Sequence, residues 1–407
     1  MKGNILGADG IRAIAALSVL IHHFFERLNT EKQSEAVQSL QQFALLGEAG
    51  VSVFFVLSGM LLSRPFWQNY VDHKPFPSIR DFMARRAVRI VPGFYASLIV
   101  SFVVAWYLWH PTDFVWLRLL AGLTFTSGFH YVTLFPTEIN GPLWSISFEV
   151  FCYVLMPALM ALLFWGLPRR GIGVAFAFWV AAFVVVLGAN QLIQVYLQPS
   201  DYHRGWEYGL IGGAKEWMPG YNVVGMFAHY VWGVLAAGLI VWFQTQPRRT
   251  EYLKNRWVFD GVAGLVLLLT LGFLWQLRDG SGFGQSWQNQ PYFFPYFPLL
   301  TMFLLATLPF TRVLGHWFDN RFFRFTAKVS FGIYIWHFLI LELYRDRLNP
   351  QYSYMGMSDL SQWLLISAAL LGVSYIAAVL SYKLIEEPAL QWHRRRREQR
   401  KGAGEPA

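Results

Sequence analysis

The sequence has one cysteine and few charged residues. Cys152 stands alone among 407 residues, which excludes an intramolecular disulfide and a cysteine-rich metal site. Charged residues make up 14% of the chain, against roughly 25% in soluble domains. Hydrophobic residues make up 55% of the chain. There are also 18 tryptophans and 19 tyrosines, the residue types that are enriched at membrane–water interfaces. The composition therefore predicts an integral membrane protein.

Ten stretches are apolar and long enough to cross a bilayer as helices, which takes about 20 residues each. The predicted spans are 10–27, 45–63, 90–109, 142–165, 172–192, 223–243, 258–276, 296–311, 325–343 and 362–384. The stretch 114–135 is partly apolar, but Thr, Ser, His and Gly interrupt it, so we interpret it as an external re-entrant or interfacial segment. The predicted fold class is an all-α, polytopic membrane bundle of about ten transmembrane helices.

The basic residues are distributed unevenly between the two sides of this bundle. With the N-terminus in the cytoplasm, 25 of the 33 Lys and Arg residues fall inside and eight outside, the asymmetry that sets membrane orientation. We therefore expect both termini inside, in a multi-pass protein of a bacterial inner membrane. The net charge of +9 follows from this topology, so it does not support nucleic-acid binding.

Two domains are predicted. Residues 1–390 form the integral-membrane domain, and residues 391–407 form a basic, disordered cytoplasmic tail. The run Arg394–Arg397 in this tail is interpreted as a solvated segment that contacts anionic membrane lipids.

The first span carries ionisable residues on one face, where a membrane usually tolerates them only at a pathway or site. Eleven residues separate Arg12 from His23, which brings their directions within about 20° on a helix and sets them roughly 16 Å apart along its axis. His22 points about 80° away. Asp9 lies near the same face, although it equally suits a helix cap. This pattern selects His23 over His22.

Two later spans carry buried ionisable residues at a similar expected depth. Glu149 shares a helical face with Tyr153, and His337 shares one with Tyr334. The approximate span ends put both at about the level of His23. For Glu149 a structural ion pair is the alternative to catalysis, and for His337 the alternative is a histidine satisfied within the core.

A basic cluster precedes the third span. Arg85, Arg86 and Arg89 lie close together, with Arg86 and Arg89 on one helical face. The cluster exceeds what membrane orientation needs, and arginine binds phosphate through two parallel hydrogen bonds. We therefore expect an anionic cytoplasmic ligand here. Glu386 is predicted to pair with these arginines, as a structural clamp rather than a catalytic acid.

Two outer loops, 193–222 and 276–298, are rich in Trp, Tyr and Phe. Aromatic faces stack on sugars, but an interfacial belt produces the same composition. Both interpretations stay open at this point.

The complete set of motifs resembles the membrane-bound acyltransferase family 3. The matching motifs occur in order over roughly residues 5–388: Asp9-Gly-x-Arg12 with His23, Phe54-Phe55-Val-Leu-Ser58-Gly59, Arg85-Arg86-x-x-Arg89-x-x-Pro92, Trp144-Ser145-x-Ser147-x-Glu149-x-x-x-Tyr153, Tyr334-x-Trp336-His337 and Ile385-Glu386-x-Pro388. Each motif alone is weak, whereas their ordered series is specific.

The resemblance implies an integral-membrane O-acyltransferase that modifies glycans or related hydroxyl acceptors, with acetyl-CoA as co-substrate. We expect a glycan or lipid-linked glycan as the acceptor, and no bound cofactor or metal. It implies functional importance for the positions of His23 and Arg12, and for the arginine pair Arg86 and Arg89. Many relatives carry a soluble esterase-like domain after the membrane part. We expect only the membrane part here, with a separate periplasmic partner as one possibility.

These observations lead to a hypothesis of acyl transfer across the membrane. The CoA phosphates bind the arginines, with Arg12 and Arg85 beside the pair Arg86 and Arg89, and His23 acts as base or acyl relay. The other candidate catalytic residues are Glu149, Asp9 and His337, and the candidate supporting residues are Ser58, Trp144, Ser147, Tyr153, Tyr334 and Glu386. The alternative is a proton-coupled or lipid-linked glycan transporter, because intramembrane Asp, Glu and His also relay protons.

Overall fold

The computed structural model describes residues 5–108, 113–167, 171–196, 203–278, 280 and 286–402. These residues form helices and connecting segments without any β-strand, apart from one isolated bridge between Leu28 and Met357. The α-helices in chain order are α1 (Ala8–Phe25), α2 (Glu35–Leu45), α3 (Gly50–Val71), α4 (Ile79–Leu108), α5 (Val115–Leu123), α6 (Trp144–Gly166), α7 (Ile172–Tyr196), α8 (Gly209–Trp217), α9 (Val223–Gln244), α10 (Pro247–Asn255), α11 (Val258–Leu277), α12 (Tyr296–Thr307), α13 (Leu314–Trp317), α14 (Arg321–Arg347), α15 (Leu360–Ser381) and α16 (Glu387–Gly402).

Nine helical segments within the described ranges are long and apolar enough to cross a membrane. They coincide with nine of the ten predicted spans, which confirms a multi-pass helical bundle. The tenth prediction, 296–311, is a shorter apolar helix, Tyr296–Phe310. The interrupted stretch 114–135 contains only the nine-residue α5, which at 1.5 Å per residue is far shorter than a bilayer core of about 30 Å.

The centre of the bundle is built on α1 and α3. Helix α1 packs against α14 and α3, and α3 packs along most of its length against α9. Two glycines permit the close approach of α3 and α9: a Cβ added at Gly59 would overlap the backbone of Tyr230, and one added at Gly233 would overlap the backbone of Val56. Small residues at such crossings are how membrane helices gain packing energy without a hydrophobic driving force.

Helix α4 begins earlier than predicted and α16 replaces part of a predicted tail. The prediction put the start of the third span at 90, but α4 begins at Ile79, so the arginine cluster belongs to the same helix as the span. The segment predicted as a disordered tail from 391 is instead helical as far as Gly402. It continues from α15 through a π-helical turn, Tyr382–Glu386, and its Arg397 pairs with Asp81 of α4.

We expect Gly233→Val to destabilise the bundle, because its side chain has to displace the backbone of α3. Overpacking of a well-filled core costs about 1–3 kcal/mol. The measurement is the midpoint of thermal unfolding in detergent, followed by tryptophan fluorescence. Gly264→Val in α11 is the matched control, since a Cβ there meets no described atom within 4 Å. Equal midpoints for both variants would contradict this account of the α3–α9 crossing.

Candidate active site

A cavity of about 720 Å³ lies between six helices of the bundle. Its walls come from α1, α3, α4, α6, α14 and α16. The candidate site residues among its lining are Arg12, Ser58, Arg85, Arg86, Arg89, Glu149, Tyr153 and Tyr334. Eight of the fourteen positions selected from the sequence thus surround one space, although they come from five different helices.

Carboxylates pair with two of the three α4 arginines of this cavity. Helix α4 presents Arg86 and Arg89 at a spacing of three, and Arg89 Nη1 lies 3.4 Å from Glu386 Oε2. The Glu386 side chain is only 1% exposed, so the predicted clamp between the third span and the end of the last one is present. On α4 itself, Arg85 Nη1 lies 3.6 Å from Asp81 Oδ2. The guanidinium groups therefore face the cavity from fixed positions.

Asp9 belongs to the arginine end of α1 and not to the histidine end. Its Oδ1 lies 3.8 Å from Arg12 Nη1, and it lines a smaller adjacent cavity of about 250 Å³ with Arg12 and Arg64. Fourteen residues of helix put it about 21 Å from His23 along the axis. Asp9 is therefore placed to orient Arg12 rather than to contact His23, and its catalytic role stays a prediction.

Glu149 faces the cavity but does not pair with His23. Ser58 donates a hydrogen bond to Glu149 Oε1 over 2.9 Å, and the hydroxyl of Tyr153 donates a second, very short one to the same oxygen. The i, i+4 relation to Tyr153 is as predicted. The partners of the Glu149 carboxylate are thus two hydroxyl groups and not an imidazole, and its catalytic role stays a prediction.

Tyr334 lines the cavity and is buried. Its hydroxyl lies 2.7 Å from Ser145 Oγ and donates to the carbonyl of Pro142 over 3.1 Å. One helical turn further along α14 lies His337, with 6.1 Å between the two ring centroids. Tyr334 therefore separates the arginine-lined cavity from the region of the histidines.

His23 and His337 lie against each other beyond Tyr334, with their ring centroids 5.2 Å apart. The carbonyl of Ile333 accepts a hydrogen bond of 2.9 Å from His337 Nδ1, which leaves the Nε2 lone pair of a neutral imidazole available. His337 Nε2 is buried and has no hydrogen-bond partner among the described residues. Such an unpaired buried acceptor is costly unless a ligand satisfies it.

Glu26, which the sequence analysis missed, is the carboxylate partner of His23. His23 Nδ1 lies 2.7 Å from Glu26 Oε2. An ionised carboxylate only accepts, so His23 Nδ1 carries the proton and Nε2 has the free lone pair. The spacing of His23 and Glu26, three residues on one helix, was the available signal.

His22 faces a different neighbour, as the helical angle predicted. Its Nδ1 lies 2.6 Å from the carbonyl oxygen of Leu45 in α2, and its Nε2 lies 3.3 Å from the second oxygen of Glu26. His22 is 8% exposed, so it fills the contact between α1 and α2. Of the two adjacent histidines, His23 is the one directed at α14.

An ion-pair network supports the histidine end of α1. Arg27 Nη2 lies 2.6 Å from Glu342 Oε1, and the side chains are 6% and 8% exposed. Arg345 pairs with the other oxygen of Glu342. Arg27 also lies over the ring of Phe338, 5.8 Å from its centroid, and Phe338 packs on His23. This network joins α1 to α14 next to the histidine pair.

Three predicted supporting residues lie outside the lining of the cavity: Glu386, which pairs with Arg89, and Trp144 and Ser147. Ser147 donates a hydrogen bond to the carbonyl of Trp144 within α6, so its hydroxyl satisfies the helix. The Trp144 ring packs on Phe148 and Tyr221. Tyr221 in turn stacks on Trp217 with centroids 4.7 Å apart. These contacts between the aromatic loop and α6 are packing contacts. Positions 197–202, 279 and 281–285 of the two aromatic loops lie outside the described residues.

Comparison with known proteins identifies relatives over nearly the whole chain. A "Putative O-acetyltransferase" of Staphylococcus aureus (strain COL) is 24% identical over 95% of this chain and 59% of its own length. The peptidoglycan O-acetyltransferase OatA of Listeria monocytogenes is 24% identical over 93% of this chain and 55% of its own length. The O-acetyltransferase OatA of Staphylococcus aureus (strain NCTC 8325 / PS 47) is 21% identical over 94% and 56%. The chain therefore spans less than two thirds of each relative.

No solved structure matches the chain. A family model described as an acyltransferase domain, that of acyltransferase family 3, matches residues 5–382. This range contains α1 through α15 and, with them, the histidine pair and all walls of the arginine-lined cavity except α16. The resemblance seen in the sequence is thereby confirmed, and the chain belongs to the membrane-bound acyltransferase family 3.

Proposed function

We propose that this protein is a membrane O-acetyltransferase that transfers an acetyl group from acetyl-CoA to a hydroxyl group of a glycan. The observation that carries the proposal is that a cavity lined by arginines lies next to a pair of histidines. Tyr334 lines this cavity, and the pair of His23 and His337 follows one helical turn beyond Tyr334. Phosphate-binding groups and a general base are the two elements that acyl transfer from a CoA thioester requires.

The donor binds in the cavity with its phosphates on the arginines. Arg86 and Arg89 of α4 and Arg12 of α1 offer guanidinium donors from two directions, and guanidinium forks match phosphate oxygens. Asp9 and Glu386 orient two of these forks. The pantetheine arm then extends along the apolar wall of α3 to Tyr334 and brings the thioester towards His23.

The chemical step uses the free Nε2 of His23. This nitrogen removes the proton from the attacking glycan hydroxyl, and the oxygen attacks the thioester carbonyl. The tetrahedral intermediate breaks its carbon–sulfur bond, and the leaving CoA thiolate takes the proton back from the His23 imidazolium. Glu26 stabilises that imidazolium and fixes the tautomer, as carboxylates do for catalytic histidines. An acetyl group first held on His23 Nε2 gives the same overall transfer.

The acceptor reaches the histidines from the end of the bundle opposite the arginines. Glycans offer neighbouring hydroxyl groups, so the unpaired Nε2 of His337 is available to accept a hydrogen bond from a second hydroxyl of the same sugar. In the predicted orientation, the arginine end faces the cytoplasm, where acetyl-CoA is made, and the histidine end faces outward. One relative, the peptidoglycan O-acetyltransferase of Listeria monocytogenes, supports a cell-surface glycan as the acceptor.

Transport of a glycan does not require a cavity lined by six arginines and one carboxylate. Calorimetry with acetyl-CoA separates the two functions. Micromolar binding to the purified protein supports acyl transfer, whereas an intact fold that does not bind acetyl-CoA favours transport.

We expect His23→Gln to reduce acetyl transfer by about 10²- to 10⁴-fold, the range that a general base contributes. Binding of acetyl-CoA is expected to stay intact, because the arginines bind the phosphates. Transfer is measured with labelled acetyl-CoA and a glycan acceptor. His22→Gln is the matched control. Its reduction of the transfer rate should be at least about tenfold smaller, because His22 Nδ1 faces the backbone of α2. Wild-type rates for a well-folded His23→Gln would refute the assignment.

We expect Glu26→Gln to lower the transfer rate by about 10- to 100-fold, the usual effect of removing the partner that orients a functional histidine. The acidic limb of the pH–rate profile should move to lower pH, because a protonated His23 loses the negative charge that stabilises it and the base form persists further into acid. A rate loss without any displacement of this limb would mean that Glu26 has only a structural role.

A further inference from the structure

The C-terminal helix α16 forms part of the cavity wall. Four of its residues line the cavity, namely Leu390, His393, Arg394 and Arg397. Their spacing of three and four puts them on one face of the helix. The intervening Arg395 and Arg396 do not line the cavity, and the Arg396 guanidinium lies over the ring of Trp392 at 4.4 Å from its centroid. The run of four arginines is therefore divided between two faces with different surroundings.

Two ion pairs fix α16 across the cavity mouth. Arg397 Nη2 lies 3.1 Å from Asp81 Oδ2, and the same carboxylate oxygen lies 3.6 Å from Arg85. At the turn before α16, Glu386 pairs with Arg89. Asp81 thus joins α16 to the start of α4, and this arrangement directs the Arg394 face of α16 at the cavity rather than at lipid.

Arg12 and Arg89 lie deeper in the cavity than Arg85 of α4 and Arg397 of α16. The exposed fraction of the side chain is 26% for Arg89 and 28% for Arg12, and it rises to 38% for Arg85 and 42% for Arg397. A ligand that reaches inward to Tyr334 therefore passes Arg12 and Arg89 in the middle and α16 at the mouth. The cavity has two anion-binding levels, with six arginines in total against the carboxylate of Glu149.

Coenzyme A carries its phosphates at two levels in the same order. The diphosphate joins the pantetheine arm to the ribose, and the 3′-phosphate of that ribose lies further from the thioester. Resting on the proposed use of acetyl-CoA, we propose that Arg394 and Arg397 bind the 3′-phosphate of CoA and so distinguish it from dephospho-CoA. The C-terminal helix is then a specificity element of the donor site, and the diphosphate belongs to Arg12, Arg86 and Arg89.

The test compares two ligands that differ only in this phosphate. Calorimetric titration of the purified full chain in a non-ionic detergent measures the affinities for CoA and 3′-dephospho-CoA. The wild type should prefer CoA by about 10- to 100-fold, as expected for hydrogen bonds between charged groups. The double substitution Arg394→Gln and Arg397→Gln should abolish this preference by weakening CoA alone. The single substitution Arg394→Gln, which keeps the Asp81–Arg397 pair, should remove part of it.

The matched control is the double substitution Arg395→Gln and Arg396→Gln, which removes the same charge from the other face and should keep the preference. Equal affinity of the wild type for CoA and 3′-dephospho-CoA overturns the inference. So does a variant with both Arg394 and Arg397 replaced that loses affinity for the two ligands by the same factor. If the variant with Arg394 and Arg397 replaced keeps the preference for CoA but no longer binds phosphatidylglycerol vesicles, these two arginines bind lipid instead of the 3′-phosphate. A wild type that binds neither ligand would refute the proposed acyl transfer itself.

Discussion

Charged side chains inside an apolar bundle must be paired, and this constraint governs how the helices are held together. An isolated charge in a low-dielectric interior is too costly to persist. The structure meets the requirement by pairing residues that are distant in the sequence: Arg89 with Glu386, and Arg27 with Glu342. Each pair therefore also links two distant segments of the bundle. Arg89, which is part of the proposed donor site, thus also stabilises the packing of the helices.

Helix α1 connects the two ends of the proposed reaction path. Arg12 lies in the cavity and His23 lies against His337, and one unbroken helix sets the roughly 16 Å between them. Contacts of α1 with α3 and α14 on either side keep it in register. Because both groups are on the same rigid element, their separation does not depend on the loops. Such a fixed distance suits a donor with phosphates at one end and a thioester at the other.

Much of this was predictable because membrane helices have strong sequence signatures. Nine spans, the choice of His23 over His22, and the Arg89–Glu386 clamp follow from apolar length, helical angle and charge. Other features depend on packing between distant segments. The pairing of His23 with Glu26 was overlooked although Glu26 directly follows α1, only three residues after His23. The hydrogen bond from Ser58 to Glu149, in contrast, needs knowledge of how α3 meets α6. The C-terminal helix α16 packs on α4 through the pair of Arg397 with Asp81, which is more than 300 positions earlier. Composition alone does not reveal this contact, so it predicted a disordered tail for residues 391–407.

The most direct test of this account is a structure of the full chain with an acetyl-CoA analogue whose thioester sulfur is replaced by a methylene group, so that it cannot transfer its acetyl group. The account predicts the diphosphate between Arg12, Arg86 and Arg89, and the acetyl carbonyl carbon within contact distance of His23 Nε2, past a displaced Tyr334. An acetyl group that stays on the cavity side of Tyr334, or phosphates bound away from these arginines, would contradict it.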